Sequence, residues 1–578
     1  MIQVGLNRLG DWNPQLFREI KGRLTLRNLL LAILISVGAQ LVFLLYQWGQ
    51  LPTLGSSHNY CTGSGPHYAR RCLTDSLGHT LVDWPLWSLD AFIILSLIGI
   101  VILPVVGTYL LVSDLDREER RGTLNFLRLT PQSATSLLVG KMLGVPILLY
   151  SAALLAVPLH LWLGNTAGIS LPAIFSFYGA VLGSCVCFSS IALLFGLTSA
   201  WLGGFQAWLG SGALLAFLLI SLRRGIDNSP LDLLAGFTPS LVLAQILPAE
   251  LLERAIWYRE SFQNLEYFGL PVNASLFAAL SFTWLNYGLW SFWAWQALQR
   301  CFRNPNTPLF SKRQSYGLTI CFESLVLGFA LQTYQVPDVA PPGGQAELQR
   351  YFLQWLFQHF NTTLLLNLIF FLGLMGALLP HRQAVQDWAR YRREQATSHK
   401  RFWSASLVRE LLWSEKSPAV LAIAVNLVIA SMPLLVWVLS WPSSEKQDQA
   451  IIGLTLNFSM LALYAVLAQL LLLMPSPKRG VSAFATISAA VVLPVLVLSI
   501  LSLEPDKAAG LWLFSAFPSV SVPAASAHEI VLSWLGQLSI VSLLSLRLTR
   551  QVRQIGASAS QALLSDRPQN RPHLPNRA

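Results

Sequence analysis

An all-α, polytopic helical membrane protein is what this chain predicts, and three observations carry the prediction. Of its 578 residues 54% are hydrophobic and only 12% charged, where a soluble domain would carry roughly 25% charged residues. Apolar runs of about 20 residues recur from end to end, long enough to cross a hydrocarbon core roughly 30 Å thick. The cations are also sorted. With the N-terminus inside, 30 of the 39 Lys and Arg fall on cytoplasmic segments and helix entrances, as the positive-inside rule requires. Continuous apolar runs differ from the short alternating segments of a membrane β-barrel. Helices also satisfy their own backbone hydrogen bonds in lipid. Topology therefore explains the net charge of +11, and no nucleic-acid partner is implied.

In chain order, residues 1–27 read as an interfacial amphipathic helix. Trp12, Leu16, Phe17 and Ile20 recur at helical spacing with Arg18, Lys21 and Arg23 between them. Such a segment lies with its apolar face in membrane lipid and its cations toward anionic headgroups. The next run is long enough to span and reads as a retained anchor rather than a cleaved signal. About twelve transmembrane helices are expected, at 28–47, 88–113, 138–163, 171–200, 205–222, 273–299, 317–334, 351–379, 418–441, 451–474, 481–503 and 528–547. They form two six-helix halves, 28–299 and 317–547. A cytoplasmic linker, 300–316, joins them, and Asn304-Pro305 and Thr307-Pro308 oppose continuous helix there. A cytoplasmic tail, 548–578, is expected to be disordered.

Each half repeats one rhythm: a span, an outer loop, a second span, a charged cytoplasmic segment, then four spans. This suggests a tandem duplication, although a chance division of twelve spans gives the same count. Residues 223–272 are placed outside. Their apolar patch 241–247 is too short to cross and suits a re-entrant or interfacial piece. Arg223 and Arg224, at the outer end of the fifth span, run against the charge rule.

The most informative stretch lies between spans two and three: residues 117–144, REERRGTLNFLRLTPQSATSLLVGKMLG. A charged turn leads to a Gly-Thr-Leu step, then to Thr130-Pro131 and finally to Gly140-Lys141. The segment resembles the coupling segment of ABC-2-type exporter permeases, which write Glu-x-x-x-Gly-Thr-Leu, then Thr-Pro or Ser-Pro, then Gly-Lys. Glu118, Gly122, Thr123, Leu124, Thr130, Pro131, Gly140 and Lys141 fill those places, while Asn125 stands where the family often has Glu. The amphipathic start and the piece before span six match the family's layout as well.

The resemblance implies the transmembrane permease subunit of an ATP-binding-cassette transporter, an exporter driven by two ABC ATPase subunits on separate chains. ATP and Mg would be held by those partners and no cofactor by this chain. Asp114, Asp116, Arg117, Glu118, Glu119, Arg120 and Arg121 would orient the segment by ion pairs with the ATPase. Gly122 would allow a sharp bend, and Pro131 would end the first short helix by removing a backbone donor. A bacterial plasma (inner) membrane with both termini cytoplasmic is the implied location, a thylakoid-type membrane the alternative. The second half keeps the layout without the motif. Its counterpart, 381–417, is rich in Arg, and Arg390, Arg392, Arg393 and Glu394, with Trp388 and Tyr391, suggest a helix running out of span eight. One chain is expected to supply both six-span units as a pseudo-dimer, with a homodimer as the competing arrangement.

Chemistry is sparse. The single Gly-Lys step, Gly140-Lys141, is followed by Met142 rather than the Ser or Thr of a phosphate-binding loop. No polar stretch is long enough for an ATPase domain, so no catalytic residue is assigned. The nine histidines are scattered without the spacing of a metal site. Glu323 is the one acidic residue well inside a span. Interfacial placement near the cytoplasmic end is the preferred reading, and ion coupling is what a secondary carrier would require. Asn286, Asn367, Asn426, Asn457 and Gln469 suit interhelical hydrogen bonds of about 1 kcal/mol. Cys61 and Cys72 share the first outer loop, where an oxidising compartment permits a disulfide, but spacing alone does not decide it. Cys185, Cys187, Cys301 and Cys321 read as small apolar fillers. Two rivals remain open: a secondary carrier, and a non-transporting membrane scaffold or assembly factor.

Overall fold

The computed structural model describes residues 10–53, 57–64, 70–75, 79–248, 265–334, 344–398, 405–476 and 478–556. Residues 1–9, 249–264, the loop 399–404 and the tail beyond 556 therefore lie outside the described residues. Two compact units emerge: residues 1–305 with 331–333, and residues 306–330 with 334–578.

In the first unit the chain opens with α1 (Pro14–Arg23) and α2 (Leu26–Gly49). Asn13 caps α1 by accepting from the Leu16 N–H at 3.0 Å, and Pro14 sits in the first turn, where its missing N–H costs nothing. A small loop follows, in which strands β1 (Ser57–His58) and β2 (Arg70–Arg71) pair antiparallel. Cys61 and Cys72 are bonded beside them, their Cα atoms 4.6 Å apart.

Helix α3 (Trp84–Arg120) has 37 residues, about 55 Å at 1.5 Å per residue. That is nearly twice the lipid core, so its last turns project beyond it. The short helices α4 (Thr123–Arg128) and α5 (Ala134–Gly144) come next, then α6 (Ile147–Thr166), α7 (Leu171–Thr198) and α8 (Gln206–Arg223). A 3-10 turn, Pro230–Phe237, and α9 (Ser240–Ile246) precede a hairpin, β3 (Glu266–Tyr267) and β4 (Leu270–Pro271), and α10 (Leu276–Arg303). Leu241, Val242 and Leu243 of α9 are fully buried against α7 and α10. The apolar patch thus packs into the end of its own unit.

The second unit comprises α11 (Lys312–Ala330), α12 (Gly344–Leu378), α13 (Arg382–Ser398), α14 (Ala405–Trp413), α15 (Val420–Leu439), α16 (Ser444–Leu472), α17 (Arg479–Ile500) and α18 (Ala527–Ile555). Short helical turns at 509–512 and 518–520 lie between the last two.

Among the described residues ten helices are long and apolar enough to cross a membrane, which makes this a multi-pass, all-α architecture. The other two expected spans form helices α10 and α11, whose tryptophans, Asn286 and basic ends reduce their apolarity. Several boundaries move. The third span starts at Ile147, not 138, because Val145-Pro146 separates it from α5. The linker shrinks to 304–311, since α10 runs to Arg303 and α11 begins at Lys312. Helix α13 does not continue span eight: Leu379, Pro380 and His381 interrupt the two. The tail stays helical as far as Ile555.

Three span pairings recur in the two units, although span two packs closely on spans three and five in the first unit only. Numbering the spans of each unit from one, the first packs on the third, the second on the fourth and the fourth on the sixth, in both (α2 with α6, α3 with α7, α7 with α10; α11 with α15, α12 with α16, α16 with α18). In both, two short helices stand between spans two and three, and short turns between spans five and six pack on span four.

Candidate coupling surface

The sequence-marked segment becomes two short helices braced at the projecting end of α3. Gly122 turns the chain between α3 and α4 with φ +71°, a conformation that costs an L-residue about 1–2 kcal/mol. The Thr123 hydroxyl donates to the Glu118 carbonyl at 3.2 Å across this turn. Helix α4 then buries one side and exposes the other. Leu124 and Leu127 are 2% and 5% exposed, and they join Leu137, Leu138, Leu298 and Phe302 in a core. Phe126 and Leu129, by contrast, are 71% and 86% exposed. Helix α4 stops at Arg128, two residues before Thr130-Pro131. The Thr130 hydroxyl donates to the Leu127 carbonyl at 2.7 Å, the acceptor that the missing N–H of Pro131 leaves open.

Arg128 fixes α4 to its surroundings. Its Nε donates to the Phe302 carbonyl at the end of α10, 2.8 Å away, and its Nη1 donates to Asn125 Oδ1 at 2.8 Å. Asn125, the departure from the family pattern, is thus a partner of Arg128. Arg303 adds a longer bond to the Gln132 carbonyl.

Behind this surface lies an ion-pair network. The Lys141 side chain is 2% exposed and its ammonium lies 2.7 Å from Asp114 Oδ2, 2.8 Å from Glu118 Oε2 and 3.7 Å from Glu19 Oε1. Arg23 bridges Asp114 at 2.5 Å and Glu19 at 3.0 Å, while Arg18 reaches Glu118 at 2.9 Å. Three cations and three carboxylates balance, tying α1, the end of α3 and α5 into one brace. The three carboxylates offer oxygens within 4.8 Å of one another, a spacing that would also suit a metal ion. The Lys141 ammonium fills that part here.

Backbone approach completes the brace. A Cβ on Gly140 would meet Asn13 Oδ1 and the Leu16 N at 2.8 Å, and one on Gly144 would meet Glu19 Cβ at 2.5 Å. Asn13 donates across the same gap to the Ser136 carbonyl at 2.8 Å.

The charges expected to face an ATPase are thus largely committed within the chain: Asp114 and Glu118 to Lys141, and Asp116 to Arg120, whose guanidinium the Asp116 hydrogen bond holds above its ordinary value. Glu119 lies 3.7 Å from Arg128. Arg117, Arg121, Phe126 and Leu129 form the outward surface. Glu19, Asn13, Phe126 and Leu129 escaped the sequence reading. The Gly140-x-x-x-Gly144 spacing was the available signal for a close helix contact. Helix α1 likewise does not present a purely apolar face to lipid: Gln15, Leu16 and Glu19 are buried against α5, while Trp12 is 64% exposed.

In the second unit Lys312, 2% exposed, stands at the head of α11. It donates to the Leu411 carbonyl, Ser417 Oγ and the Pro418 carbonyl at 2.6, 2.6 and 3.1 Å. A buried lysine thus ties the segment before span three in each unit. Glu323 is enclosed by protein, 2% exposed. One of its oxygens faces Asn367 Nδ2 at 3.5 Å, while the other, together with Asn367 Oδ1 and Thr363 Oγ1, has no hydrogen-bond partner among the described residues. Asn426 bonds Thr319 and Ser315, as expected of an interhelical amide. Asn286 bonds the Gly236 carbonyl, holding the 3-10 turn Pro230–Phe237. Cys185, Cys187 and Cys301 are buried, whereas Cys321 is half-buried within α11. No protein-family model, curated protein or solved structure matches this chain.

Proposed function

We propose that this chain is the permease subunit of an ATP-binding-cassette transporter of the ABC-2 type, an exporter powered by ATPase subunits on separate chains. The observation that carries the reading is the α4 surface. Phe126 and Leu129 are offered to solvent on a helix whose other face, ends and flanks are all fixed to α3, α5 and α10. An exposed aromatic-aliphatic pair on an otherwise polar cytoplasmic turn fits insertion into a partner's groove. A push on α4 passes through Leu124, Leu127 and the Lys141 brace into α3, without a flexible joint except Gly122. Closure of the ATPases on ATP would tilt α3 and α6 and switch access to a substrate path.

The test is co-purification from the native host, followed by native mass determination. Phe126→Asp with Leu129→Asp should abolish ATPase association and leave the melting temperature unchanged, since neither side chain packs in the core. Unaltered association would overturn the reading. The mass is expected to correspond to one permease chain with two ATPases, and two permease chains would refute the pseudo-dimer.

Glu323 favours a second reading, an ion-coupled carrier, because a buried carboxylate without a cationic partner among the described residues invites a proton or cation. Transport that persists without any ATPase and is lost in Glu323→Gln would support it.

A further inference from the structure

In the second unit Ser315 and Thr319 of α11 complete their hydrogen bonds on α15. Thr319 donates to Asn426 Oδ1 at 2.8 Å, and Asn426 Nδ2 donates to Ser315 Oγ at 3.0 Å. One turn further along the same face of α11 the pairing fails. Glu323 Oε1, Thr363 Oγ1 and Asn367 Oδ1 of α12, and both polar atoms of the Asn457 amide on α16, have no hydrogen-bond partner among the described residues. These four residues are 0–2% exposed, and polar groups so deeply buried are ordinarily matched.

Three helices bring them to one level. Glu323 Oε2 faces Asn367 Nδ2 at 3.5 Å, and Thr363 lies one turn before Asn367 on the same face of α12. Helix α16 meets α12 on either side of this level. A Cβ on Gly453 would touch the Phe360 ring at 3.7 Å, and Phe458 packs on Phe371 with ring centroids 6.1 Å apart. Asn457, one turn beyond Gly453, stands between those contacts, as Thr363 and Asn367 do on α12.

We propose that these side chains enclose one dehydrated alkali-metal cation. Four of the five open atoms are oxygens, the ligands that hard cations take. A single carboxylate brings one negative charge, so a monovalent ion leaves the enclosed site neutral. A divalent ion would leave a positive charge out of water. Water would leave the carboxylate uncompensated, and a proton would serve one oxygen and leave the others bare. The inference rests on the reading of Glu323 as an ion-binding carboxylate and names the class of ion; binding itself requires no transport.

The experiment uses the full chain in uncharged detergent, with choline chloride holding ionic strength constant. Equilibrium binding is measured for radioactive sodium and for radioactive rubidium, the tracer for potassium, which separates the two sources. One of them should bind saturably at one ion per chain. Glu323→Gln should weaken that binding roughly 10- to 100-fold and Asn457→Ala roughly fivefold. Absence of saturable binding for both ions, affinity unchanged in Glu323→Gln, or tighter binding of calcium than of either ion overturns the proposal. The unaltered protein decides the first and third of these outcomes, so a variant that fails to fold leaves the test standing. Flux into liposomes is measured separately. Saturable binding without sodium- or potassium-driven flux sinks the carrier reading and keeps the site, whereas absence of binding sinks the site and leaves a proton-driven carrier standing.

Discussion

Lys141 shows how much one side chain can hold. An ammonium removed from water keeps its charge only where carboxylates compensate it, and here Asp114, Glu118 and Glu19 do so from two helices other than its own. Lys141→Met should therefore destabilise the first unit by about 3–5 kcal/mol, the cost of stranding buried charge, and lower the thermal midpoint in detergent. Adding Glu118→Gln to that variant should restore part of the loss, because one stranded carboxylate is neutralised. A midpoint that does not move in Lys141→Met would contradict the brace. Lys141 was visible in the sequence as half of a Gly-Lys pair. Its partners were not, because Glu19 and Asp114 lie far from it in the chain and nothing in local spacing links them.

At the level of elements, the docking of α1 on α5 depends on what Gly140 and Gly144 lack. Without side chains they let the α1 backbone approach, and the gain is van der Waals contact together with the Asn13 bridge to Ser136. Gly144→Leu should lever α1 off and unwind it, freeing the backbone at Arg18, Lys21 and Arg23 for trypsin in purified protein while the α2–α10 spans stay folded. Equal cleavage in variant and parent would show that α1 is held by other means.

Helix periods around Leu16 and Ile20 were legible, and so was the existence of α1. The face it buries was not. An amphipathic pattern does not distinguish a lipid surface from a neighbouring helix, and two of the buried residues, Gln15 and Glu19, are polar. The break at Val145-Pro146 was hidden for a related reason: apolar residues continue through it, so hydropathy reads α5 and α6 as one run.

For the whole molecule, topology and repetition are the testable properties. The cation asymmetry predicts that Gln383 and the charged segment around it face the cytoplasm, and that the loop after α17 faces outward. In intact cells a membrane-impermeant maleimide should label Asp506→Cys and spare Gln383→Cys, both exposed positions. The reverse pattern would invert the topology. The shared pairing of spans one with three, two with four and four with six gives the six-plus-six rhythm a physical counterpart. Yet the two units fill the same junction with different side chains, leucine and phenylalanine in the first and valine and leucine in the second.

Composition, apolar run length and the placement of Lys and Arg were enough to determine a helical, multi-pass protein. Those quantities set the transfer of each segment into lipid, and each is a local sum along the chain. The Gly-Thr-Leu step likewise located the turn, because a backbone at positive φ needs glycine. Tertiary structure alone decided which charges are spent internally, that Glu323 is enclosed and that Phe126 and Leu129 point outward. Each of those depends on helices distant in sequence meeting at one place. Burial and charge pairing are properties of that meeting, not of any segment by itself.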